Sequence, residues 1–103
     1  MNKRDLVMSI LASATTPSYI PAAFFLHFDP ADHCGQAAVD KHLEFYRFTG
    51  MDFVKIQYEL VFPPVRQIQR PEDWPKMPRH KLDFYDKPLG VVEGLVKAAK
   101  SEA

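Results

Sequence analysis

The sequence predicts an α/β fold, and three observations carry that prediction. A nearly continuous apolar stretch, Ala22-Ala23-Phe24-Phe25-Leu26, suits a strand buried on both faces. An amphipathic segment closing in His42-Leu43-Glu44-Phe45-Tyr46-Arg47-Phe48-Thr49-Gly50 suits a helix with a glycine stop. Phe53-Val54-Lys55-Ile56-Gln57-Tyr58 then suits a second strand, which finishes at Glu59. Strand, helix and strand in that order make one βαβ unit, two parallel strands joined by a crossover helix. Such units normally sit in much larger α/β domains, and a chain of 103 residues holds about two of them.

Each element has its own signals. Residues 2–13 predict a short amphipathic helix, because Leu6, Val7, Ile10 and Leu11 recur on one face. Pro17 ends it. The same stretch loosely imitates a secretory leader, with Lys3 and Arg4, a short apolar run and Ala12-Ser13-Ala14; Asp5 interrupts the basic start, and the helix is preferred. After the strand over 20–28, Asp29-Pro30-Ala31-Asp32 carries a helix-start signal of the capping type. The following helix is clearest over 36–49. Ala38 or Val39, Leu43 and Tyr46 or Phe45 form its buried stripe, and Asp40, Lys41, Glu44 and Arg47 face water. The stretch 62–88 is the least regular, with prolines at 63, 64, 71, 75, 78 and 88; Pro71-Glu72-Asp73-Trp74 starts a short helical turn. A last helix spans 89–100, with Leu89, Val92, Leu95 or Val96, and Ala99 on one face and Lys97 and Lys100 near its negative end.

Composition narrows the function classes. Lys plus Arg and Asp plus Glu balance at 13 each, so no basic surplus points to a nucleic acid or an anionic membrane. A hydrophobic share of 47% with eight Phe and four Tyr suits a packed core and argues against disorder. The single cysteine, Cys34, allows no internal disulfide and fits a reducing compartment, so a cytoplasmic location is expected. His33-Cys34 invites a metal reading, but one thiol with scattered histidines lacks the paired spacing of zinc sites, and no metal is expected on these residues.

The order PAAFFLHF, HLEFYRFTGMDFVKIQYELVFPP and KPLGVVEGLVKAAKSEA resembles the start of the uroporphyrinogen decarboxylase family. That family includes zinc-dependent methyltransferases acting with corrinoid proteins and thiols. The resemblance covers nearly the whole chain but only about the first third of a family member, whose (β/α)8 barrel takes about 250 residues. It implies a partial barrel here: the first two or so β/α units with an N-terminal helix, over 1–103. Family decarboxylases carry an arginine-bearing segment at the end of the first strand that holds the substrate's carboxylates. Here Phe25-Leu26-His27-Phe28-Asp29-Pro30-Ala31 has no arginine. The family's second landmark ends in an Asp facing the pyrrole nitrogens; Gly50-Met51-Asp52-Phe53-Val54-Lys55-Ile56-Gln57-Tyr58-Glu59 ends in a carboxylate one methylene longer.

The resemblance therefore puts His27 and Glu59 at the carboxyl ends of neighbouring strands, the face where barrel enzymes build active sites. Glu59 would be catalytic and substrate-binding, accepting hydrogen bonds from a substrate donor, and His27 a substrate contact or proton carrier. Tyr58 would pack on the opposite strand face, and Lys55 would pair with a carboxylate or lie exposed. His42 and His80 are expected to be structural or exposed. The implied reaction is decarboxylation of a tetrapyrrole acetate or methyl transfer from a corrinoid or other methyl donor, the missing arginines favouring the second. No cofactor is expected on this chain; zinc belongs to a full-length methyltransferase-type parent. The competing reading is a non-catalytic polypeptide that self-associates through open strand edges.

Overall fold

The computed structural model describes residues 2–14, 16–57 and 59–102. Three α-helices carry it: α1 over Lys3–Ala12, α2 over Gly35–Thr49 and α3 over Asp86–Glu102. Short 3-10 turns cover Pro30–Asp32, Pro71–Lys76 and Leu82–Tyr85. Local chemistry accounts for the helix ends. The Asn2 side chain accepts from the Asp5 N–H and caps α1. Gly50 closes α2 in the left-handed region at φ 65°, its N–H returning to the Tyr46 carbonyl. The signal at Asp29 makes only the Pro30–Asp32 turn, without a side-chain cap, and α2 begins at Gly35 after Cys34.

Helix α2 packs against α3, and this contact holds the core. Ala38 and Val39 of α2 meet Val91 and Leu95 of α3, with Leu43, Val54 and Ile56 packed around them. Burying an aliphatic side chain of this size stabilises the fold by about 1.5–3 kcal/mol. The helices approach closely because Gly94 has no side chain: a Cβ there would lie 2.6 Å from Val39 Cγ2. The buried face of α3 is turned from the expected one. Val91 and Leu95 are buried, whereas Leu89, Val92 and Val96 are exposed.

Among the described residues there is no strand and no sheet, which corrects the α/β reading and with it the partial (β/α)8 barrel. Segments 20–28 and 51–57 do run side by side in the same direction, joined near 22 and 52 and again near 27 and 59. They share one backbone hydrogen bond, from the Asp52 N–H to the Ala22 carbonyl at 2.9 Å, where a parallel pair needs an evenly spaced series. Carboxylates do the rest of the joining. Asp52 accepts from the Ala22 N–H at 2.8 Å and from the Tyr19 hydroxyl at 2.6 Å. Phe24, Phe25 and Leu26, apolar enough for a doubly covered strand, are exposed. Apolar run length reports what a segment would bury, not whether a pairing partner and a covering layer are present.

One buried histidine fixes 51–57 to the helices. His42 Nδ1 donates to the Ala38 carbonyl at 2.6 Å, and its Nε2 accepts from the Gln57 N–H at 2.8 Å. Phe28 stands edge-on to the His42 ring. The proline-rich stretch is organised by Asp73, whose carboxylate accepts from the N–H groups of Gln69 and Arg70.

Candidate functional site

The polar cluster that the two apolar segments bring together is Glu59 with His27 and His33. His27 ends segment 20–28, His33 follows the Pro30–Asp32 turn, and Glu59 follows segment 51–57. His27 Nδ1 lies 3.2 Å from Glu59 Oε1, and His33 Nε2 lies 3.8 Å from Glu59 Oε2. The Glu59 side chain is only 12% exposed, whereas that of His27 is 69% exposed. Burial pushes the Glu59 carboxyl up, but the His27 hydrogen bond, the pull of His33 and His27 and the Phe28 N–H outweigh it. The net result is a carboxyl held below its ordinary range.

This geometry assigns the hydrogens. An ionised carboxylate only accepts, so His27 Nδ1 carries the proton of that contact. His33 Nε2 sits 2.7 Å from the Phe28 carbonyl, which also only accepts, so that nitrogen donates. Phe25 packs edge-on against the His27 ring at 4.6 Å, and Lys55 Nζ lies 4.4 Å from the Phe25 ring centroid. Lys55 is exposed, the second of its two expected settings. The arrangement is a carboxylate-oriented imidazole with one face to solvent, a geometry chemically able to accept or donate a proton.

Glu59 and His27, both expected at a substrate mouth, are thus in direct contact. Glu59 spends its oxygens on protein donors and orients; His27 reaches outward. His33 joins them, although its sequence neighbour Cys34 had drawn attention to it only as a metal ligand. Among the described residues no group of three or more His, Cys, Asp or Glu side chains is placed to hold a metal ion. Tyr58 lies outside the described residues. His42 is buried, and His80 stacks on Phe84 at 3.9 Å.

A second polar centre escaped the sequence reading. Asp52 is 8% exposed and gathers Tyr19, Ala22 and, electrostatically, Lys3, whose ammonium donates to the Gly50 and Met51 carbonyls. The Tyr19 hydrogen bond, then the Ala22 N–H, hold the Asp52 carboxyl below its usual range against the opposing effect of burial. The same contact raises the Tyr19 phenol. No local signal could have found it, because both hydrogen-bonding partners lie 30 or more residues away.

Comparison with family models, with curated proteins and with solved structures finds no match to this chain. No helix among the described residues is long and apolar enough to cross a membrane.

Proposed function

We propose that this chain carries a proton-transfer site of a uroporphyrinogen decarboxylase-like protein, with His27 the proton carrier and Glu59 its orienting carboxylate. The observation that carries the reading is the 3.2 Å contact between a largely covered, ionised Glu59 and an outward-facing His27. A carboxylate on one ring nitrogen fixes the tautomer and stabilises the imidazolium formed when the other nitrogen takes a proton. Of the reactions the resemblance implies, decarboxylation puts this to use, because the carbon that loses carbon dioxide must receive a proton. The His27 imidazolium gives its Nε2 proton to that carbon as the carbon–carboxylate bond breaks and carbon dioxide leaves, and the neutral ring then takes a proton from solvent at Nε2. The segment 25–31 has no arginine to pair with the carboxylates of uroporphyrinogen, so a tetrapyrrole with fewer carboxylates is the better probe of this reading.

The test is binding of coproporphyrin, a tetrapyrrole with a reduced carboxylate count, followed by its absorbance. Saturable binding by the wild type, weakened about tenfold or more by His27→Ala and by Glu59→Ala, is the expected result. No binding by the wild type, or equal binding by all three proteins, would overturn the reading.

A further inference from the structure

Lys55 stands beside the His27–Glu59 pair with its charge unspent. Its Nζ lies 4.4 Å from the Phe25 ring centroid, and the His27 ring packs edge-on against that same ring at 4.6 Å. Together the two distances place the ammonium within about 9 Å of the His27 ring. Among the described residues no ion pair includes Lys55, and its hydrogen bond to Gln57 Oε1 is long, 3.5 Å. An ammonium has three donors, so at least two are left for water or a ligand. The Phe25 ring between the cation and the imidazole is itself 57% exposed.

We propose that Lys55 is the carboxylate-binding cation of this site and Phe25 its apolar floor, so that the ligand is an aromatic ring bearing a carboxylate. This deepens the proton-transfer reading of His27 and rests on it. A carboxylate suits the place better than a phosphate. Lys55 offers a single positive charge, and the ionised Glu59 nearby opposes a second negative charge on the ligand.

The carboxylate that Lys55 holds is not the one lost in decarboxylation. An ion pair to the departing carboxylate stabilises the substrate more than the transition state, in which that charge moves onto carbon. The substrate therefore carries at least two carboxylates, one paired with Lys55 and one on the carbon that His27 protonates.

An NMR titration with indole-3-acetate, and with its neutral amide indole-3-acetamide, tests the carboxylate contact. The acid is expected to shift the Phe25 ring and Lys55 side-chain signals saturably, and to bind about fivefold or more tighter than the amide. Lys55→Met should reduce the acid to the level of the amide, and Lys55→Arg should keep the preference. Lys97→Met, at a lysine paired with Glu93 on α3, should change nothing. No binding of the acid, equal binding of acid and amide by the wild type, or a preference that survives Lys55→Met would each overturn the proposal. Coproporphyrin separates the two readings. If it fails to bind while the acid preference depends on Lys55, the decarboxylase reading falls and the carboxylate contact stands. If it binds, weakened by His27→Ala yet indifferent to Lys55→Met, the decarboxylase reading stands and the role of Lys55 falls.

Discussion

Two carboxylates, Asp52 and Glu59, tie the amino-terminal segment to the middle of the chain, and both are held below their ordinary range. A group whose folded-state pKa is depressed contributes stability that is fully present above its unfolded value and is lost as pH falls through the folded one. Urea midpoints should therefore hold near neutrality and fall as the pH drops below about 4. Asp52→Asn removes part of that dependence, so its midpoint, lower at neutral pH, should decline less over the same interval. A wild-type midpoint that stays level into the acid range would contradict this. Glu59 and His27 were legible because each closes an apolar segment, a position that sequence marks. Asp52 was not, because Tyr19 and Ala22 lie 33 and 30 residues away and no local pattern records that meeting.

Helices were legible at the level of elements. The expected spans 2–13, 36–49 and 89–100 correspond to α1, α2 and α3, whose caps and stops are local chemistry. The buried face of α3 was not legible. Leu89, Val91, Val92, Leu95 and Val96 spread apolar character around most of the helix, so periodicity alone does not choose which stripe meets α2. Strands failed for the reason already visible in their contacts: pairing is a tertiary event, and the apolar run over 22–26 carries no information about its partner. The α2–α3 contact makes a sharp prediction through its glycines. Nothing stands within 4 Å of a Cβ built at Gly90, so Gly90→Ala should stabilise α3 by about 1 kcal/mol. Gly94→Ala drives a methyl against the buried Val39 and should instead cost about 1–3 kcal/mol. Thermal melts of the two variants check this. Equal shifts of the same sign would mean that the helices do not meet at Gly94.

The whole molecule is elongated, 52 × 35 × 22 Å, with a radius of gyration of 18.1 Å where a compact domain of this length has about 13 Å. One small core between α2 and α3 supports long apolar segments that remain exposed, and composition did not reveal this: a hydrophobic share of 47% reads as a well-filled interior. What the two segments achieve without a sheet is to carry His27 and Glu59, 32 residues apart, into contact. That contact is the centre of the functional account, and it depends on the arrangement of most of the chain. Nitrogen NMR of ring-labelled histidine under mildly alkaline conditions reads it directly. His27 is expected to carry its hydrogen on Nδ1 in the wild type, against the usual preference of free imidazole side chains for Nε2, and Glu59→Ala is expected to restore that preference. The same His27 tautomer in the wild type and in Glu59→Ala would contradict it.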